Sequence, residues 1–95
     1  MAGEHETAVV LRFTPQATPY VQERRWHASQ QLEPVAGGGC ILRLRVSEPQ
    51  EMQPWIRSWG SQVEVLEPET LRQSIAEELC RAMDLYRCEG LKAKA

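Results

Sequence analysis

Apolar and polar residues alternate in four short stretches of the chain, and this period of two predicts four β-strands. In chain order, the predicted strands span residues 8–13, 26–34, 40–46 and 62–66. The third stretch alternates most regularly and the second least regularly. A glycine-rich turn over 35–39 joins these two strands, so they are predicted to form a hairpin.

A period of about 3.6 residues replaces this alternation between the third and fourth strands and predicts a helix. The apolar positions that repeat with this period are Met52, Trp55, Ile56 and Trp59. Gly60 follows them, where glycine commonly ends a helix in the left-handed conformation. Ser47 and Gln50 predict a capping box before this helix, and Pro54 predicts a kink or a late start. Two indoles on one helix face must be buried.

The order strand, helix, strand, strand, helix, strand, helix predicts a ferredoxin-like sandwich. A short helix after Pro19 and a last helix over 69–87 complete this order. The fold class is α+β, with the topology β-α-β-β-α-β, a four-stranded antiparallel sheet and an added C-terminal helix. The folded domain is predicted to span 8–88, with a disordered or linker segment over 1–7 and a flexible tail over 89–95.

Length, charge and cysteine content exclude several classes of protein. A chain of 95 residues forms one domain, and its net charge of -2 argues against a protein that coats duplex DNA. No signal peptide and no apolar run long enough to span a membrane occurs. Three cysteines without CxxC spacing indicate reduced thiols in a cytoplasmic protein. No cofactor or metal site is predicted, because His5 between Glu4 and Glu6 is typical of a solvated tail.

The sheet face that the helices leave open is the first candidate functional surface. In this topology the first and third strands are neighbours, so Arg12, Arg43 and Arg45 are predicted to lie together there, with His27 on one flank. The planar guanidinium group of arginine can donate two hydrogen bonds to one phosphate group. This face is therefore a candidate site for single-stranded nucleic acid or another anionic ligand. The outward positions lack the aromatic residues that stack on bases, so a solvated or subunit-packed face is the alternative.

The last helix is the second candidate, because its apolar stripe exceeds what packing on one small sheet requires. The residues predicted to contact a second subunit are Leu71, Ile75, Leu79, Met83 and Tyr86. An enzyme is not predicted, and no catalytic residue is assigned. The chain contains no asparagine, which an acylphosphatase-type site would use to position water, and no nucleophile stands in an activating relation to His27.

Four segments of the sequence carry a resemblance to a known family: VVLRFTP, VQERRWHASQQLEP, CILRLRVSEPQEMQPWIRSWGSQVEVLEP and LRQSIAEELCRAMDLY. Together they resemble the C-terminal extension domain of bacterial WYL-domain transcriptional regulators, over about residues 8–86. The resemblance implies a non-catalytic regulatory and dimerisation module. Its implied partners are the WYL and helix-turn-helix domains of a parent regulator and a second copy. Neither of those two domains is recognisable here, so the chain is expected to be an excised domain, and Pro19 and Pro54 interrupt helices that are usually unbroken in the family.

Overall fold

The computed structural model of the protein describes residues 6–87, and its element order confirms the predicted α+β ferredoxin-like arrangement. The elements are β1 (Thr7–Phe13), α1 (Thr18–Gln22), β2 (Gln31–Pro34), β3 (Cys40–Val46), α2 (Gln53–Arg57), β4 (Val63–Glu67) and α3 (Glu69–Leu85). Two 3-10 turns, Pro49–Met52 and Gly60–Gln62, flank α2. The predicted linker and tail lie mostly outside the described residues, although Thr7 already belongs to β1.

The four strands form one antiparallel sheet in the order β2-β3-β1-β4. Leu11 is opposite both Leu42 of β3 and Val65 of β4, so apolar side chains of the three strands share one face. The register between β1 and β4 shifts after Val10, which is opposite Glu67 and leaves Leu66 as an extra residue. The alternation in the sequence therefore sorts the strand residues onto the two faces as predicted.

The core lies between this apolar sheet face and the helices. Side chains from all three helices join it, with Val21 of α1, Ile56 of α2 and Leu71 of α3 each fully buried. The partly buried Trp55 and Trp59 pack against the same cluster, which includes Leu11, Leu42, Leu44 and, at its edge, Val63. The predicted burial of this stripe is thus confirmed for Ile56 and in part for Met52 and the two tryptophans, which pack against the core but remain partly exposed.

The hairpin between β2 and β3 is confirmed, but β2 is shorter than predicted. Residues 26–30 form a loop instead of strand, because the Gln30 side chain bonds their backbone. Its carbonyl oxygen accepts the backbone N–H groups of Trp26 and His27, and its amide donates to the carbonyl of Arg24 at 3.2 Å. These side-chain bonds satisfy backbone groups that strand pairing would otherwise use.

The entry into α2 differs from the prediction. No side chain caps this segment, so the predicted capping box of Ser47 and Gln50 is wrong. A 3-10 turn beginning at Pro49 leads into α2, which starts at Gln53, so the late start near Pro54 is confirmed. Two prolines explain this division, because each one lacks an N–H and fits only in a first helical turn. At the other end, Gly60 has a φ of +61°, which confirms its predicted left-handed conformation.

Candidate functional site

The open sheet face consists of the strand side chains that point away from the helices. The register places Arg43 opposite Val10 and Arg45 opposite Ala8, so both flank the middle of β1. Arg12 is opposite Ile41, at the far end of the same pair of strands. All three arginines lie on the predicted face, but Ile41, which is opposite Arg12, comes four positions before Arg45 in β3. Because a strand rises about 3.3 Å per residue, Arg12 and Arg45 are about 13 Å apart along the strand direction.

Two of these arginines have carboxylate partners. Arg43 donates to Glu33 of β2 at 3.0 Å, and Arg45 lies 4.0 Å from Glu6. Both pairs are exposed, so each contributes at most about 1 kcal/mol to stability. Their main effect is to neutralise the surface. Within the strands, three arginines are matched by three glutamates on the same face, Glu33, Glu64 and Glu67, so their formal charges of +3 and -3 sum to zero.

Arg12 differs from the other two arginines. Among residues 6–87, no carboxylate lies within 4.0 Å of its guanidinium group, since Glu64 opposite it pairs instead with Arg72 of α3 at 3.0 Å. Arg72 is held there by a second bond, to the backbone carbonyl of Val65 at 2.7 Å. The bond from α3 therefore leaves the Arg12 guanidinium available at this end of the open sheet face.

A hollow of about 400 Å³ lies beside Arg12 at this end of the sheet. Its wall includes the β2–β3 turn, the Thr14 segment after β1, and Gln62 before β4. The hydroxyl of Thr14 hydrogen-bonds the Gln62 side chain, and its backbone N–H donates to the Gln62 carbonyl at 3.0 Å. Gly39 completes the wall. A Cβ atom at position 39 would lie 2.5 Å from the carbonyl oxygen of Phe13, which is too close for any side chain. The close approach of these backbones thus requires glycine at position 39.

His27 lies at the opposite end of the sheet from Arg12. Its Nδ1 accepts the backbone N–H of Ser29 at 3.1 Å and is 2.8 Å from the Ser29 hydroxyl. That hydroxyl also accepts the backbone N–H of Arg45 at 2.9 Å, which fixes the loop against β3. His27 and Arg45 line a hollow of about 350 Å³ together with Glu6. The four residues predicted to bind a ligand therefore do not form one site: Arg12 lies at one end of the sheet, His27 and Arg45 lie at the other, and Arg43 lies between them.

The apolar stripe of α3 divides into a buried half and an exposed half. Leu71 and Ile75 are 0% and 7% exposed and belong to the domain's own core. Leu79, Met83 and Tyr86 continue the stripe but are 47%, 53% and 72% exposed. These three residues are called the α3 patch below. Only this half of the predicted interface is accessible to another molecule.

All three tryptophans meet in one aromatic cluster, which the sequence did not predict. Trp26, in the loop after α1, lies 5.1 Å from Trp55 and 6.1 Å from Trp59 between ring centroids. Trp59 also packs nearly perpendicular to Phe13 at 5.2 Å. The indole N–H of Trp26 donates to the carbonyl of Val21 at 3.0 Å, which fixes its ring. The abundance of tryptophan in so short a chain was the available indication that these rings belong together.

The family of the chain follows from comparison with known proteins. The sequence profile of the WCX domain family matches residues 5–83, which is most of the chain. The chain belongs to the WCX domain family. This is the C-terminal extension domain of WYL-domain transcriptional regulators, so the match confirms the resemblance drawn from the sequence.

A solved structure shares the fold of this WCX domain. It is "Proteasome accessory factor B/C (PafBC) of Arthrobacter aurescens", with a TM-score of 0.69 and 24% sequence identity over 90% of this chain. The chain spans 13% of the length of that protein. No curated protein matches the chain significantly. At this identity the likeness to PafBC shows a common fold.

In the part of the chain between residues 6 and 87, no three side chains of the histidine, cysteine, aspartate or glutamate type converge as metal ligands would. No helix within the same residues is long and apolar enough to cross a membrane. The Ser29 hydroxyl beside His27 is engaged by the backbone of Arg45 and serves to hold the loop.

Proposed function

We propose that this WCX domain is the non-catalytic regulatory and dimerisation module of a WYL-domain transcriptional regulator, and that the α3 patch forms its contact with a second copy. The observation that carries the proposal is the division of α3. The same apolar stripe that is buried at Leu71 and Ile75 continues along α3 and is exposed at Leu79 and Met83. Apolar side chains grouped on one exposed face of a helix are typical of an interaction surface.

The size of the α3 patch sets the expected strength of this contact. The patch runs from Leu79 to Tyr86, which is about 10 Å along a helix. Stable dimers bury about 800 Å² on each partner, more than such a short seam supplies. The isolated domain is therefore expected to associate only at high micromolar concentration. In a parent regulator, contacts made by the other domains would raise the effective concentration of the two patches.

Sedimentation of the isolated domain tests the proposal. The wild type is expected to shift from monomer to dimer at high micromolar concentration, and the double substitution Leu79→Glu, Met83→Glu is expected to remain monomeric. The matched control is Thr70→Glu, Gln73→Glu, which adds the same charge at exposed positions in the first two turns of α3, outside the apolar stripe. The control should dimerise like the wild type, apart from a small effect of its added charge.

A monomeric wild type at these concentrations would remove the dimer contact from the proposal. The α3 patch would then be assigned to the WYL domain of the parent chain. Equal loss of dimer in the control would show that charge, and not the apolar stripe, controls association.

Contact with an anionic ligand is the second candidate function, and the environment of Arg12 favours it. In the described part of the chain, Arg12 is the arginine of the open sheet face that has no carboxylate within 4.0 Å. It borders a hollow that is also lined by Ser61, whose hydroxyl can donate to a phosphate oxygen. Glu64 lines the same hollow, but its carboxylate is paired with Arg72. Arg43 and Arg45, already paired with glutamates, are expected to contribute less.

A further inference from the structure

A cleft of about 250 Å³ lies between the loop after α1 and the segment that leads into α2. Two of the three tryptophans form part of its wall, with Trp26 from the loop and Trp55 from α2. Their ring planes are inclined at 53°. Aliphatic side chains complete the wall, namely Leu44, Val46 and Met52. The surface is therefore largely apolar and rich in aromatic area.

The polar side chains that line this cleft are one carboxylate and one imidazole, and the hollow that adjoins it contains further carboxylates. Glu51 lines the cleft beside His27. Glu51 and Met52 also line the adjoining hollow that contains Glu6, Glu48 and Arg45. Arg45 is the only guanidinium lining either space, and it already lies 4.0 Å from Glu6. Two carboxylates, those of Glu48 and Glu51, thus remain without a basic partner within 4.0 Å among the described residues.

Aromatic walls and an acidic rim together select a cation. The face of an indole ring is the most favourable aromatic surface for a cation, and nearby carboxylates strengthen the attraction. The chain already uses Trp26 in this way, since the guanidinium carbon of Arg24 lies 5.6 Å from the centroid of its ring. The aliphatic part of the wall suits the methylene stem of a long basic side chain.

We propose that this cleft, here called the tryptophan cleft, binds one arginine or lysine side chain that a partner protein segment presents. The stem of the side chain lies along the wall that Trp26, Trp55 and Met52 form together, and its charged group is directed toward Glu48 and Glu51. Residues 1–6 contain no arginine or lysine, so the segment immediately before β1 does not carry the basic group. The proposal is independent of dimerisation through α3.

Titration of the 95-residue protein with N-acetyl-arginine amide, followed by 15N-correlated NMR, tests the tryptophan cleft. The indole N–H resonances of Trp26 and Trp55 are expected to shift with saturation. The dissociation constant is expected to be on the order of 1 mM, because one side chain supplies few contacts. N-acetyl-citrulline amide has nearly the same shape without the charge and is expected to bind at least several-fold more weakly.

Two variants locate the binding. Glu51→Gln is expected to weaken binding of the arginine probe about 3-fold, the effect of losing one partly solvated charge interaction. Glu77→Gln, an exposed carboxylate of α3, is the matched control and should leave the affinity unchanged. Because both variants keep the size of the side chain, their backbone spectra verify that the fold is intact.

Three outcomes would overturn the proposal. The first is that the two indole resonances do not move at 20-fold the expected dissociation constant. The second is that the citrulline probe shifts them equally, which would make the cleft an apolar site without charge selection. The third is that dilution of the protein alone moves the same resonances, which would identify a second copy of the chain as the occupant.

Discussion

Trp59 illustrates how single residues hold this small core together. Its ring packs near-perpendicular to Phe13, Trp26 and Trp55, with centroid separations of 5.2 to 6.1 Å. Such arrangements place the edge of one ring against the face of another, which is favourable because the edge is positive and the face negative. The indole nitrogen of Trp59 is buried and has no hydrogen-bond partner among residues 6–87. The packing of the ring must therefore offset the cost of that unpaired group.

Replacing Trp59 by alanine is expected to destabilise the domain by about 3 kcal/mol. This value lies at the low end for tryptophan because part of the indole remains exposed. Trp59→Phe, which keeps an aromatic ring and removes the unpaired N–H, should cost clearly less. Urea unfolding followed by circular dichroism measures both. If Trp59→Ala melted within a few degrees of the wild type, the ring would not be part of the core.

At the scale of elements, the apolar stripe of α3 changes from buried to exposed along the helix. Its first two turns close the core through Leu71 and Ile75, and the apolar residues of its later turns are exposed. The ion pair between Glu78 and Arg81, at 2.7 Å, lies between these two parts. The hydrogen bond from Arg81 lowers the pKa of the Glu78 carboxyl group below its ordinary value. Because both side chains are exposed to solvent, the pair is a minor contribution to stability.

The two halves of α3 should respond differently to the same substitution. Leu71→Ala removes a fully buried side chain and is expected to cost about 2 to 5 kcal/mol. Leu79→Ala removes one that is 47% exposed and should cost less than about 1 kcal/mol. Both are measured by chemical unfolding at low micromolar concentration, where the domain is monomeric. Similar costs at the two positions would mean that the α3 patch is part of the domain's own core.

The strands and the long helix were predictable because the apolar residues of each element repeat with one regular period, which is two residues in a strand and about 3.6 in a helix. In β3 every second residue faces the core, and the alternation in the sequence gives the faces directly. The loop of residues 26–30 was not predictable in this way. Trp26 fits the alternation of apolar and polar residues that is typical of a strand, but a hydrogen bond from its indole N–H to the Val21 carbonyl holds it in the loop. Likewise, Ser47 followed by Gln50 satisfies the capping pattern, but the chain forms a 3-10 turn there.

The candidate site was less predictable than the fold, because it depends on which strands are neighbours and in what register. The alternation of residues along the strands correctly predicted that the three arginines lie on one face of the sheet. It could not show that Glu33 pairs with Arg43, or that Arg72 of α3 takes Glu64 away from Arg12. The tryptophan cleft was likewise hidden, because its walls come from segments far apart in sequence.

The charges of the whole molecule limit how it can bind nucleic acid. The net charge is -2, and the strand charges of the open sheet face sum to zero as counted above. Long-range attraction of a polyanion is therefore weak, and any contact must be local. Arg12 is the position where such a contact is favoured.

A short single-stranded oligonucleotide is accordingly expected to bind weakly and only at low salt. Arg12→Glu should abolish this binding, whereas Arg43→Glu should reduce it less, because Glu33 already neutralises Arg43. Arg57→Glu, the same charge change on the helix side, serves as the control. Fluorescence anisotropy at low and physiological salt measures all four proteins. Binding that is absent throughout, or equally weakened by Arg57→Glu, would reject the anionic-ligand candidate.

The brevity of β2 has a consequence for solubility. β2 and β4 are the two outer strands of the sheet, and outer strands can recruit a strand from another chain and start aggregation. β2 offers only four residues, and its last one, Pro34, has no N–H to donate. In β4, the other outer strand, the shifted register leaves Leu66 as an extra residue and increases the local twist of the strand. Both borders are thus poor templates for a growing sheet, and concentrated solutions of this domain are expected to resist polymerisation.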